Sequence, residues 1–276
     1  MSIPSDVKEV FAHDRSTEKD HGLDWSILVM YRGSIAHGMY CPPSDPASID
    51  DKDIMEVCVP PIDYYLGLSQ YGSHGTKEFK RNEWDVVSYE LRKYMSLLAQ
   101  GNPNVLMTLW MEQKYYLKLT AAGQLIRTHR TIFNGKHAYR AFSGYAKGQM
   151  HRMTHHGDFS GHMGDKRKKL VEQFGYDTKN ASHLIRLLRM GVEFLTEGVL
   201  YVERAHDATE LLEIKKGEWS LERVQKEADR WFQLIDETYV KSTLPNHPDM
   251  VAINQLCVDV AETAIFDRNP DMGCDY

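Results

Sequence analysis

Asp51 and Asp53 stand two positions apart where a loop rich in Pro, Ser and Asp (CPPSDPASIDD) runs into an apolar stretch, Asp53 to Val59. Residues i and i+2 of a strand project to the same face. This D-x-D pattern therefore sets two carboxylates side by side at the mouth of a strand. Carboxylates that close repel each other unless cations lie between them. A chain carrying such a pair needs a sheet to hold it and a counter-charge to relieve it, which narrows both the fold and the chemistry.

The flanking segments predict that sheet. Trp25 to Tyr31 (WSILVMY) reads as a buried strand closed by Arg32-Gly33, with Ser34 to Tyr40 opening a short helix. Asp53 to Val59 is a second strand ended by Pro60-Pro61, and Trp84 to Ser88 a third, with the turn-rich YGSHGTKE between them. From Tyr89 the period changes. Leu91, Tyr94, Met95 and Leu98 share a helical face until Gly101-Asn102-Pro103 stops the helix, and a second apolar helix is expected over Asn104 to Glu112. Beyond Thr120 only helical periodicity remains, clearest over Ala138 to Met153, His183 to Thr196 and Leu221 to Val240. The expected fold class is α/β plus α: a mixed sheet with flanking helices over residues 1–115, then an all-helical domain over residues 116–276. Tyr64, Tyr65, Trp84, Tyr89 and Tyr94 fall beside Leu and Val and read as core.

The acidic pair points to metal-assisted phosphate chemistry. Gly33 after a strand lets the backbone approach a ligand closely. A helix opening at Ser34 turns free N–H groups and its positive end toward an anion such as a triphosphate. Mg²⁺ prefers oxygen ligands and bridges to phosphates, and two such ions stabilise both oxygens of an in-line displacement. Asp85, at the start of the third strand, is the expected third carboxylate, with Glu83 in reserve. Asp50 faces away from Asp51 in an ideal strand and is left out. Lys52, between the two aspartates, points into or over the sheet.

The net charge of −6 conceals an asymmetry. Residues 127–189 hold 13 Lys/Arg against 4 Asp/Glu, a balance of +9, and 7 of the 13 histidines. A basic segment in an acidic chain suits a phosphate-rich partner, although charge runs are often merely solvated faces. Within it, Lys147 and His151 stand four apart on a helix and could clamp phosphate; His37 could contact phosphate or base, or simply pack. His151, His155 and His162 allow a zinc reading that lacks a convincing ligand spacing. Lys166 to Lys169 could touch a nucleic-acid backbone. Arg186 and Arg189 share a face with His183, opposite Leu184, Leu187 and Leu188, and Arg186 is a candidate substrate contact across a cleft.

Other classes lack their signatures. There is no GxxxxGK[ST], GxGxxG or GxSxG. No apolar run nears the roughly 18 residues of a membrane span. The N-terminus is polar, and four scattered cysteines form no CxxC pair, so a reducing, cytoplasmic setting is expected.

The order Gly-Ser, loop, D-x-D and a later strand aspartate resembles the DNA polymerase β superfamily of nucleotidyltransferases. Four blocks, YRGSIAHG, DDKDIMEVCVPPIDYYLGL, VVSYELRKYMSLLAQGNPNVL and YDTKNASHLIRLLRMGVEFL, are together similar to the RNA-repair-associated nucleotidyltransferase family RlaP and span roughly residues 31 to 215. The resemblance implies transfer of a nucleoside monophosphate from a triphosphate to an acceptor with loss of pyrophosphate. It implies Gly33 and Ser34 at the triphosphate, and Asp51, Asp53 and Asp85 at two Mg²⁺ ions, with Mn²⁺ as a substitute. The family and the basic segment favour an RNA or tRNA end as acceptor. A protein or small-molecule acceptor, or a non-catalytic nucleic-acid-binding module, stays open.

Overall fold

The computed structural model describes residues 3–11, 23–42, 44, 50–81, 83–154 and 165–268. Five strands form one mixed sheet: β1 (Ser26–Tyr31), β2 (Lys52–Cys58), β3 (Thr76–Arg81), β4 (Trp84–Glu90) and β5 (Tyr116–Leu119). Their order is β3-β4-β2-β1-β5. β2 and β4 run parallel, and every other neighbouring pair is antiparallel. Short helices α1 (Ser5–Phe11), α2 (Gly33–Ala36) and α3 (Asp63–Leu66) decorate the sheet, and α4 (Leu91–Ala99) and α5 (Pro103–Leu106) follow β4. After β5 come α6 (Ala121–Thr128), α7 (Ala138–Thr154), α8 (Asp165–Phe174), α9 (Thr178–Glu197), α10 (Ala208–Lys215), α11 (Leu221–Lys241) and α12 (Met250–Arg268).

The central strands lie where apolar runs predict them. Both edge strands escape that reading, for physical reasons. β3, TKEFKR, is charged and largely exposed, as suits an edge that must not pair with other chains. β5 has four residues, too few to show a period. It pairs with β1, so the sheet extends just past residue 115. The expected helix over Asn104 to Glu112 is instead the single turn α5 followed by a 3₁₀ turn, Met107–Leu109.

Alternation along β2 divides the sheet's two faces. Ile54 packs with Val29, Trp84, Val86 and Leu117 beneath Val7, Val10 and Phe11 of α1. Met55, Val57 and Val87 face the other way into a core continuous with the helices, shared by Leu91, Tyr94, Met95 and Leu98 of α4 and by Leu184, Leu187 and Leu188 of α9. Burial of each such side chain is worth roughly 1.5–3 kcal/mol. Tyr94 is wholly buried and its hydroxyl is within 2.6 Å of Thr108 Oγ1, so its polar end is satisfied. Trp84 is likewise core, whereas Tyr64, Tyr65 and Tyr89 are only partly buried. The Glu90 side chain caps α4 by accepting from Arg92 N at 3.0 Å, and Asp177 caps α9 by accepting from Asn180 N at 3.0 Å. Among the described residues no helix is long and apolar enough to cross a membrane.

Candidate active site

The parallel ladder between β2 and β4 pairs Asp53 directly with Asp85. Partners in a parallel pair lie on the same face, so both carboxylates leave the sheet together at one end. Asp51, one residue before β2, joins them through a shared lysine: Lys80 Nζ is 3.9 Å from Asp51 Oδ1 and 3.3 Å from Asp85 Oδ2. The three aspartates predicted from sequence thus lie at one end of the sheet, with Lys80 between Asp51 and Asp85. Glu83 does not join them. It pairs with Lys52, whose ammonium also lies 5.1 Å from the Trp84 ring, on the opposite face. That gives the middle residue of the D-x-D its place over the sheet.

Gly33 makes room for this group. Its φ is +60°, and a Cβ there would overlap an Asp53 carboxylate oxygen. The turn's close approach is therefore to Asp53 itself. Arg32 N donates to Asp53 O at 3.0 Å, and Arg32 Nη2 is 3.4 Å from Asp53 Oδ1. α2 is a single turn beginning at Gly33, with Ser34 at its second position. Its first N–H groups have no acceptor within the helix. Gly33→Ala is expected to displace Asp53 and to lower Tm through the strained φ. A thermal melt checks this; a variant as stable as the parent contradicts it.

The helical part of the chain reaches the same place. Lys179, the second residue of α9, lies 3.8 Å from Asp51 Oδ2 and 3.9 Å from Asp50 Oδ1. Asp50 is 1% exposed and also holds Lys215 of α10, which donates to Met39 O at 3.0 Å. Cys41 N donates to Asp50 Oδ2 at 2.9 Å. Asp50 thus anchors the loop entering β2 to two helices, apart from the other acids. Burial, the largest influence, pushes Asp53 above the usual carboxylate range; Arg32 and Lys179 pull it down, and Asp51 and Asp85 push it further up. Sequence reasoning missed Lys80 because β3 went unread. Lys179 sat within the YDTKNASH block without a strand to face.

The residues fit divalent ions by donor chemistry: hard carboxylate oxygens from adjacent strands, with Lys80 standing as a monovalent cation between two of them. Among the described residues no three His, Cys, Asp or Glu side chains are already gathered as a metal cluster. Asp51, Asp53 and Asp85 are each engaged by a lysine or arginine instead.

His37 and Arg186 meet each other rather than the carboxylates. Both are buried; Arg186 Nη1 donates to His37 Nε2 at 2.6 Å, and His37 Nδ1 lies 2.8 Å from Val202 O. Nε2 must accept, so the ring is neutral with its proton on Nδ1. Burial, and then the Arg186 charge, hold His37 well below its ordinary pKa. Burial brings Arg186 down to about 9, with Arg204 adding to the effect. Arg186 therefore does not project into a cleft. It fastens α9 to the residue that ends α2.

Part of the basic segment is likewise absorbed by the fold. Arg127 stacks 4.2 Å from the Tyr116 ring, and Arg189 pairs with Asp207 at 3.0 Å. Lys147, His151, Arg152, Lys168 and Lys169 remain exposed. The end of α7 bearing His151 approaches the start of α9, where Asp177 N donates to Met153 O at 3.4 Å. His155, His162 and the side chains of Lys166 and Arg167 lie outside the described residues.

Two other features stand apart. Glu56, on the opposite face of β2 from Asp53, accepts from Ser26, and burial pushes its carboxyl up to about 7. A cleft of about 460 Å³ lies at the far end of β4, lined by Tyr71, His74, Glu90, Arg92 and Lys93 among others.

A mixed α/β sheet with aspartates on adjacent parallel strands, opening beside a Gly-Ser turn and backed by helices, is an arrangement able to gather cations around a phosphate ligand. The sequence matches the model of RlaP, described as the RNA repair pathway DNA polymerase beta family, over residues 16–259, and the chain belongs to that family. Membership makes it polymerase β-like and associates it with RNA repair. No curated protein matches the sequence.

Proposed function

We propose that the protein is a nucleotidyltransferase that moves a nucleoside monophosphate from a triphosphate onto an RNA end. The observation that carries this reading is the pairing of Asp53 with Asp85 across the parallel ladder, with Asp51 beside them and Gly33-Ser34 against Asp53. Asp51, Asp53 and Asp85 would hold two Mg²⁺ or Mn²⁺ ions. Bound there, the ions would neutralise charge on the reacting phosphate oxygens and lower the pKa of the attacking hydroxyl.

The chain's own groups do the rest. The backbone N–H groups at Gly33 and Ser34 and the Ser34 hydroxyl hold the β- and γ-phosphates. Asp85 orients the acceptor hydroxyl and takes up its proton. The acceptor oxygen bonds to the α-phosphorus as the bond to the β-phosphate oxygen breaks, and pyrophosphate leaves. Lys147 and His151 contact phosphate, and Lys168 and Lys169 contact the RNA backbone. The exposed basic residues and the family's RNA-repair association favour RNA over a protein or small-molecule acceptor.

The test presents α-³²P-labelled triphosphates and Mg²⁺ with RNA, protein and small-molecule acceptors in parallel. Label entering RNA is the expected result. Label confined to protein or a small molecule would move the acceptor class, and no label in any arm would overturn the transferase reading.

A further inference from the structure

Asp50, Asp51, Asp53 and Asp85 face Arg32, Lys80, Lys179 and Lys215. The free site is therefore close to electrically balanced. Two of these cations differ from the rest in what they can do. Lys215 is nearly inaccessible, clamped to Asp50 and the Met39 carbonyl. Arg32 is bound into the turn through its own backbone. Lys80 is 59% exposed at the sheet edge and Lys179 is 14% exposed, and both touch carboxylate oxygens assigned above to metal. An ammonium and a divalent ion cannot share the same carboxylate oxygens at close range without strong repulsion.

We propose that Lys80 and Lys179 change partners during the reaction cycle: in the free enzyme they hold Asp51 and Asp85, and when metal takes those carboxylates both ammonium groups pass to the polyphosphate of the incoming nucleotide. The inference rests on the nucleotidyltransferase reading and adds an order of binding. Divalent ions arriving alone would add positive charge to a site whose carboxylates are already neutralised. Two divalent ions bring about as much positive charge as a nucleoside triphosphate brings negative. Entering together they preserve the balance, and the displaced lysines find a new anion within the reach of their four-carbon stems. The site thus excludes free metal and admits the metal–nucleotide complex. Lys80 acts from the edge strand, and Lys179 carries the helical part of the chain onto the nucleotide.

Mn²⁺ binding to the full chain tests this without any turnover. Free Mn²⁺ is followed by electron paramagnetic resonance, alone and with a non-hydrolysable α,β-methylene triphosphate. The parent protein should bind Mn²⁺ weakly alone and at least about tenfold more tightly with the analogue. Lys80→Ala should tighten binding of Mn²⁺ alone by roughly three- to tenfold, the scale set by removing one partly screened charge near a divalent ion. It should also weaken binding of the analogue, measured with Ca²⁺, by a similar factor. Opposite signs for metal and nucleotide are not produced by a purely structural lysine.

Lys179→Met should behave alike, and Lys80, exposed on an edge, keeps the test valid if the α9 variant folds poorly. Unchanged or weaker Mn²⁺ binding in Lys80→Ala overturns the exchange. Asp53→Asn separates that failure from failure of the site. If Asp53→Asn loses Mn²⁺ while Lys80→Ala leaves it unchanged, only the exchange falls. If Asp53→Asn binds Mn²⁺ like the parent, the metal lies elsewhere and both readings fall.

Discussion

Asp53→Asn is expected to cut nucleotidyl transfer by about a thousandfold or more, the scale on which loss of a preorganised electrostatic group is felt, while making the metal-free protein more resistant to heat at neutral pH. The two effects have one origin. Burial holds the Asp53 carboxyl above its ordinary range, and Asp51 and Asp85 add to that, against the opposing pull of Arg32 and Lys179. A carboxyl whose folded pKa exceeds its unfolded value binds its proton more tightly in the native state. Its cost to stability is absent below the unfolded pKa and grows as pH rises through the folded value. Asparagine keeps the side chain's shape against Gly33 and cannot ionise, so it removes that cost. Arg32, 29% exposed, can turn to water when it loses its partner. Thermal melts in EDTA should therefore coincide for parent and variant below the usual carboxylate range, and the variant should melt higher at neutral pH. A variant that melts lower at neutral pH, or that still transfers, contradicts the argument.

The expected cost of Asp53 to stability also bears on why this part of the molecule is readable in the sequence. A D-x-D pair, a Gly-Ser after an apolar strand and a later strand aspartate are costly where they stand, and residues that oppose local stability mark a site. Asp51, Asp53, Asp85 and Gly33 declared themselves in this way. So did β1, β2 and β4, because buried strands in the middle of a sheet are continuous apolar runs. The exposed edge strand β3 carries no such run, and Lys80 stayed hidden with it.

The reading of α9 failed differently. Helical spacing sets His183, Arg186 and Arg189 opposite Leu184, Leu187 and Leu188, and predicts that this polar face looks across a cleft toward substrate. Arg186 and Arg189 are in fact buried: Arg186 meets His37 at the end of α2, and Arg189 meets Asp207. Asp207, and Val202 whose carbonyl lies against His37, come from the connection between α9 and α10, which has no periodicity to read. Spacing reports which residues share a face of a helix. It does not report what covers that face, and here the cover is a polar loop rather than water or substrate.

That loop gives the largest stability effect expected from one substitution away from the carboxylates. Arg204 is 0% exposed, and its guanidinium holds Glu193 at 2.7 and 2.9 Å and Asp207 at 2.7 and 2.9 Å. Arg204→Met keeps most of the volume and removes every one of those bonds. The cost should be about 3–5 kcal/mol, the usual consequence of stranding a buried charge, and is measured by chemical denaturation at neutral pH. The two acids will not suffer equally. Asp207 retains Arg189 at 3.0 Å, so Glu193 bears most of the loss. Adding Glu193→Leu should therefore recover most of the lost stability, since an apolar pair of similar volume avoids the desolvation that the ion pair must offset. A single variant costing less than about 1 kcal/mol, the range of a solvent-exposed pair, would mean that water reaches the network. The double variant then probes function in a folded protein. Arg204 N donates to His37 O at 3.1 Å, and His37 ends the turn that begins at Gly33. If the double variant regains stability but binds nucleotide less well, the buried ion pair holds the turn from Gly33 to His37 in place as well as the helices.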